Sequence, residues 1–136
     1  MQDDNVRSFK YDLRSYKSKQ KRIRDLEERV EECYEALGGV RGIDPSKEPT
    51  HSLPNKEVEY ALRNKIENLE RKIGLLRVQT NEVDRILGKI EKPLRTAIIS
   101  VYVDGKTIMS VANGLYLSHN GLLRRMNKAI KKALID

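Results

Sequence analysis

Aromatic residues and cysteine are scarce in this chain of 136 residues, which has no tryptophan, one phenylalanine, six tyrosines and one cysteine. The scarcity argues against a large aromatic-filled core, and Cys33 alone cannot form an internal disulfide. No apolar run approaches the roughly 20 residues that a membrane-spanning helix needs. The first residues have neither the charge nor the apolar segment of a signal peptide. These absences predict a soluble, cytoplasmic protein with a reduced cysteine and no membrane partner.

Charged residues, in contrast, are abundant. They make up 35% of the chain, beside 38% apolar residues, and the formal net charge is +7. High charge with few aromatic residues predicts long helices that bury narrow apolar stripes. Because lysine and arginine release counterions from phosphates on binding, the positive excess makes a polyanion the first partner to consider.

A first amphipathic helix is predicted over about residues 5–37, where proline and glycine are absent and apolar side chains recur every three or four positions. Its first half is basic and its second half is acidic. That polarity fits pairing with another copy or with a basic partner, but a solvated face is the commoner explanation for such a charge pattern. Gly38-Gly39 is predicted to end the helix, and an aperiodic loop rich in proline and glycine follows over 38–54.

A cleaner heptad repeat predicts a second helix over about residues 55–91, with Asn55 as its N-cap. Its apolar stripe has one polar member, Thr80, and consists of Leu62, Ile66, Leu69, Ile73, Leu76, Thr80, Val83, Leu87 and Ile90. Neither long helix can bury its stripe alone, so the two are predicted to pair as an antiparallel hairpin over residues 1–92. A homodimer through one of these coiled-coil seams would bury the stripes equally well.

The composition changes at Pro93, and residues 93–136 carry three short helical patterns. The first covers 93–103, the second starts at the N-cap Thr107, and the third runs from the N-cap Ser118 to about Leu134. Two Asn-Gly pairs over 112–121 would also fit a β-hairpin, but both flanks have helical periodicity. The predicted fold is all-α: a long antiparallel helical hairpin (coiled coil) followed by a small three-helix helix-turn-helix domain over 93–136.

The last predicted helix has one apolar side and one basic side, and no acidic residue lies between Ser118 and Ile135. The N-terminal residues of such a helix read bases in the major groove, so Asn120 and Arg124 are candidate base contacts, with His119 beside them. The candidate phosphate contacts are Lys106, Thr107, Ser118, Arg125, Lys128, Lys131 and Lys132. Double-stranded DNA is therefore the predicted partner.

The stretch "TIMSVANGLYLSHNGLLRRMNKAIKKAL" resembles the C-terminal helix-turn-helix of bacterial sigma factors. The family's small, apolar and capping positions fall on Ala112, Leu115, Ser118, Leu122 and Ala129. Tyr116 stands where glycine is usual, and Gly121 replaces a side chain that often contacts DNA in the family.

The whole layout resembles small phage late-transcription regulators of the ArpU/RinA type. That resemblance implies a phage or prophage protein in the bacterial host cytoplasm that binds promoter DNA and assists host RNA polymerase. A true sigma factor also carries an aromatic-rich region that melts the promoter, and this chain has no such region.

Catalysis finds little support in the sequence. His51 and His119 lie far apart, and with Cys33 they form no recognisable set of metal ligands. Glycine-rich phosphate loops, nucleophile elbows and paired-acid motifs are lacking. We therefore expect no enzyme, metal or cofactor. The competing interpretation is a coiled-coil adaptor, or a packaging or inhibitor protein, that acts mainly through protein–protein contacts.

Overall fold

The computed structural model describes residues 4–40 and 52–136, with side chains over 4–38 and 56–136. Every regular element of these residues is helical, which confirms the all-α prediction. The helices are α1 (Asp4–Arg14), α2 (Tyr16–Val40), α3 (Ser52–Leu87), α4 (Lys92–Ile98), α5 (Ile108–Gly114) and α6 (His119–Ile135), and α4 continues as a π-helical segment, Ile99–Val103. Two compact units form: the terminal unit, Met1–Gln20 with Val78–Asp136, and the hairpin unit, Lys21–Arg77.

The hairpin unit is an antiparallel pair built from α2 and α3. The Arg77 guanidinium donates to the Glu27 carboxylate at 2.7 Å, and the Tyr34 hydroxyl donates to Glu70 at 3.3 Å. Residue numbers therefore increase along α2 while those of their partners decrease along α3, which makes the pair antiparallel. Between the helices lies an apolar core of Ile23, Leu26, Cys33, Leu37, Ile66, Leu69 and Ile73. The predicted seams therefore meet within one chain. A homodimer through a seam stays a prediction.

The first predicted helix divides at Ser15 into α1 and α2, but its backbone bonding continues: Ser15 N–H donates to the Tyr11 oxygen at 3.0 Å and Lys19 N–H donates to the Ser15 oxygen at 2.9 Å. The Ser15 hydroxyl donates to the backbone oxygens of Tyr11 and Asp12 at 3.1 and 3.2 Å. Such bonding by a serine side chain competes with the helical backbone pattern and bends helices. The helix predicted over 5–37 is therefore present, with a local irregularity at Ser15.

The predicted ends of the two long helices also need correction. The chain stays helical through Gly38-Gly39 to Val40, since glycine weakens a helix by only about 1 kcal/mol without forbidding it. Helix α3 begins at Ser52, so Asn55 is not its N-cap, and it ends at Leu87 because Gly88 and Lys89 turn the chain. Residues 41–51 of the predicted loop lie outside the described residues.

The terminal unit is organised around one apolar core. Its largest fully buried side chains are Leu13, Ile98, Leu122, Met126 and Ile130, and Val6 and Phe9 of α1 join the same cluster. The N-terminal helix therefore packs in one unit with the helix-turn-helix segment. The predicted domain boundary at residue 92 stays a prediction. The compact units of the structure are instead divided after Gln20 and after Arg77.

The π-helical segment sets the approach of the chain to α5. The Asp104 N–H donates to the Ile99 oxygen at 2.9 Å, which is a bond across five residues, and Lys106 N–H donates to the Ser100 oxygen. Gly105 then turns the chain with φ +79°, a conformation that suits glycine. The helical pattern predicted over 93–103 thus ends where expected, whereas its widening into a π-helix had no sequence signal.

Candidate nucleic-acid interface

Two capped helices joined by a short turn form the helix-turn-helix segment. The Thr107 hydroxyl accepts from Ser110 N–H at 3.1 Å at the start of α5, and the Ser118 hydroxyl accepts from Gly121 N–H at 2.9 Å at the start of α6. Each cap satisfies a backbone donor that the first helical turn would otherwise leave unpaired. Both N-caps were predicted from the sequence and are confirmed.

The turn keeps a left-handed residue although it lacks the usual glycine. Tyr116 has φ +58°, and it is the one non-glycine residue with positive φ among those described. The Tyr116 N–H donates to the Asn113 oxygen at 3.2 Å, and Leu117 N–H donates to the Ala112 oxygen at 2.9 Å. Tyrosine thus occupies a backbone conformation that costs about 1 kcal/mol or more for a residue with a Cβ.

Small and apolar residues hold α5 against α6. Ala112 and Leu122 are fully buried and Ala129 is half-buried, as the pattern of the segment requires. Leu115 is exposed instead, while Leu117 is half-buried and packs on the core. A Cβ at Gly121 would lie 2.8 Å from the Ser118 hydroxyl oxygen, so glycine at this position leaves room for the cap.

The outward face of α6 is polar or basic over most of its length and ends at the exposed Ile135. Its buried residues are Leu122, Met126, Ile130 and Ala133. At about 100° per residue, Asn120, Arg124 and Lys131 lie directly opposite that buried face. All ten predicted contact residues are exposed, namely Lys106, Thr107, Ser118, His119, Asn120, Arg124, Arg125, Lys128, Lys131 and Lys132. The side chains are therefore free to meet a ligand from solvent.

The first two residues of α6 interact with each other. His119 Nδ1 lies 3.3 Å from Asn120 Oδ1. If the ring nitrogen carries its proton there, it orients the carboxamide of Asn120 and leaves its NH₂ group pointing away. In that tautomer His119 would position Asn120, in addition to its own predicted base contact.

The candidate phosphate contacts fall into separate groups. Arg125, Lys128 and Lys132 line one cleft of about 460 Å³, together with Lys89 and two carboxylates, Glu91 and Asp136. Lys106 lines a different depression, of about 270 Å³, beside Ser110 and Leu115. Lys89 was missed from the sequence because it lies in the turn after α3, and only the packing of that turn on α6 brings it to the cleft.

A second cationic cluster in the terminal unit was also missed. Lys10 Nζ lies 5.2 Å and the Arg14 guanidinium carbon 5.5 Å from the centre of the Tyr102 ring. Burial, with Arg14 nearby, lowers the pKa of Lys10 below its ordinary value, and burial raises the pKa of Tyr102. The basic spacing along the first helix was visible in the sequence, but its position against Tyr102 depends on tertiary packing.

The sulfur and imidazole side chains are not gathered into a metal site in the part of the chain that the structure describes. Cys33 is buried in the apolar core of the hairpin unit, where it packs like a small hydrophobic residue. His119 is exposed on α6, and His51 lies outside the described residues. Over these residues, no three histidine, cysteine or acidic side chains lie close enough together to hold a metal ion.

Within the described ranges, no helix is both long and apolar enough to cross a membrane. Comparison of the chain with protein-family models, curated proteins and solved structures finds no match.

Proposed function

We propose that the chain is a sequence-specific double-stranded DNA-binding regulator of transcription that acts by binding and not by catalysis. The observation that carries the proposal is the α5–turn–α6 arrangement. Both of its helices have side-chain caps, one face of α6 is buried, and the opposite face presents only polar and basic side chains over most of its length. A helix of this kind fits the major groove, where its N-terminal residues reach base edges.

The outward polar and basic residues of α6, and three residues near the helix starts, each have a role in this proposal. Asn120 can bond adenine through two atoms, and Arg124 can bond guanine in the same way. Arg125, Lys128, Lys131 and Lys132 are expected to hold backbone phosphates, as are Lys106, Thr107 and Ser118 near the helix starts. His119 serves the bases through Asn120 or directly.

The biological setting rests on the resemblance to sigma-type helix-turn-helix segments and to small phage late-transcription regulators. The buried Ala112 and Leu122 support the resemblance, and so does the left-handed residue in the turn, because both follow the pattern of that segment. In this proposal the protein regulates phage or prophage genes in the cytoplasm of the bacterial host and assists host RNA polymerase at a promoter.

Fluorescence titration against random and phage-derived duplex DNA tests the proposal. We expect affinity to fall steeply between about 50 and 200 mM salt, because phosphate contacts release counterions. One sequence should be preferred over random DNA. The double variant Arg124→Ala with Arg125→Ala should lose that preference and most of the affinity.

Arg71→Ala with Lys72→Ala is the matched control. It removes the same charge from an exposed pair of adjacent residues on α3 in the hairpin unit. We expect this variant to bind DNA almost as the wild type does. If the wild type itself does not bind duplex DNA at low salt, the proposal is wrong.

The second candidate function is a coiled-coil adaptor that acts through the hairpin unit. Leu75 is 62% exposed on α3, and a groove of about 520 Å³ runs between the two helices past Val30, Tyr34, Ile73 and Gly74. Leu69 and Ile73 are buried between α2 and α3, so making the seam polar would unfold the pair. Leu75→Glu is the sharper variant: it should abolish an adaptor function while DNA binding through α6 persists.

A further inference from the structure

Four basic residues form a continuous row at the N-terminal end of the chain. Arg7, Lys10, Arg14 and Lys17 are spaced by three or four positions, so at about 100° per residue they share an arc of about 80° on one flank of α1 and the start of α2. We call this row the basic stripe. On the other flank, Lys19 lies 3.7 Å from Asp12.

The basic stripe is anchored to the same unit as the helix-turn-helix segment. Val6, Phe9 and Leu13 of α1 are buried in the core that also contains residues of α6. Lys17 Nζ contacts Asp104 Oδ1 at 2.7 Å, and Asp104 lies in the loop that leads into α5. Lys106 and Thr107, two of the candidate phosphate contacts, follow in that same loop.

The centre of the stripe concentrates positive charge. Lys10 is only 6% exposed, yet it and Arg14 lie over the same Tyr102 ring. Within the described part of the chain, no carboxylate pairs with either side chain. Burial and the Arg14 charge both lower the pKa of Lys10, which means that the charged form of Lys10 is less favourable in the folded protein than in water. An anion brought to the cluster would offset that difference.

We infer that the basic stripe is a second phosphate-binding surface for the same double-stranded DNA, which it grips along the backbone beside the groove that α6 enters. The inference rests on the proposed function. It assigns a DNA-binding role to Arg7, Lys10, Arg14 and Lys17. In this role, the Tyr102 ring holds the Lys10 and Arg14 cations in position for phosphates. In the complex, backbone phosphates would neutralise the positive charge of Lys10 and Arg14.

The salt dependence of DNA binding tests the inference with Arg7→Ala combined with Arg14→Ala. Each phosphate contact contributes about 0.9 to the slope of log affinity against log salt concentration. We therefore expect the double variant to lower the slope by about 2 while keeping the sequence preference, which α6 provides. The Arg71→Ala, Lys72→Ala variant has the same net charge and should leave the slope unchanged.

The outcomes separate the inference from the proposed function. If the wild type binds DNA and Arg124→Ala with Arg125→Ala abolishes binding, but the slope is the same with and without Arg7 and Arg14, the inference is overturned and the proposed function stands. An equal drop for the Arg71, Lys72 control also overturns it, since the effect would then be one of net charge. If the wild type does not bind DNA, both the inference and the proposed function are wrong.

Lys10→Met is a second variant that keeps the buried stem and removes the charge. We expect its slope to fall by about 1. Its thermal midpoint without DNA should be no lower than that of the wild type, because a desolvated charge is lost. A lower midpoint with an unchanged slope would mean that Lys10 serves packing alone, and it would contradict the inference.

Discussion

The phenolic hydroxyl of Tyr16 donates a 2.7 Å hydrogen bond to the Asp84 carboxylate, which ties the start of α2 to the last turns of α3 inside the terminal unit. The same oxygen accepts from the Gln20 side chain at 3.0 Å. Partial burial, followed by the bond to Asp84 and its negative charge, raises the pKa of Tyr16 to about 12. Each of these effects favours the neutral phenol in the folded chain.

Tyr16→Phe should lower the free energy of unfolding by about 1 kcal/mol at neutral pH, the usual net value of one hydrogen bond. Because the folded pKa is raised from 10.0 to about 12, the contribution of the phenol is complete below pH 10 and is lost as the pH rises towards 12. The difference between wild type and variant should shrink over that window in chemical denaturation. Tyr11→Phe, at an exposed position, is the control and should change nothing.

Tyr116→Gly should raise stability although it deletes a large side chain. Tyr116 is 96% exposed, so the ring contributes almost no buried area, while its φ of +58° disfavours any residue with a Cβ. We expect a net gain of up to about 1 kcal/mol, reduced by the greater freedom of glycine in the unfolded chain. Tyr116→Ala keeps the Cβ and should leave the denaturation midpoint where it is. A loss of stability in the glycine variant would show that the ring has a partner within the chain.

Ser118 allows capping and DNA contact to be measured separately. Ser118→Ala should cost about 1 kcal/mol of unfolding free energy, because Gly121 N–H loses its acceptor. Ser118→Asp restores an acceptor and places negative charge at the N-terminus of α6, so stability should return to near the wild-type value. The same carboxylate repels phosphate, so DNA affinity should fall. Equal DNA affinity in serine and aspartate variants would remove Ser118 from the phosphate contacts.

The elements that the sequence predicted well depend on local chemistry. Thr107 and Ser118 cap their helices through bonds that span three residues, so the residue types in a short window were sufficient. The stripe of α3 was equally clear, since Ile66, Leu69 and Ile73 recur at heptad spacing and are buried. The exposed cations of α6 followed from the same periodicity.

The features that the sequence did not predict depend on contacts between residues far apart in the chain, or on small differences between alternative local hydrogen bonds. Helix α1 belongs to the terminal unit because Phe9 and Leu13 pack in the core that contains residues of α6. Their spacing in the sequence would equally have allowed them to continue the coiled coil. The irregularity at Ser15 accompanies hydrogen bonds from its hydroxyl to the Tyr11 and Asp12 oxygens, which the residue type alone does not specify. The basic stripe is a candidate site because Lys10 and Arg14 both lie over the ring of Tyr102, and this contact depends on tertiary packing.

The hairpin unit should depend on its apolar core far more than on its exposed ion pair. Leu26 is 1% exposed, and Leu26→Ala should cost about 2 to 5 kcal/mol because it leaves a cavity between α2 and α3. The neighbouring Glu27–Arg77 pair is at 2.7 Å but half open to solvent, so Glu27→Gln should cost less than about 1 kcal/mol. Urea denaturation of both variants at low and high salt distinguishes the two effects. Only the small Glu27 effect should fade with salt, and a salt-sensitive loss of several kcal/mol at Glu27 would show that charge holds the two helices together.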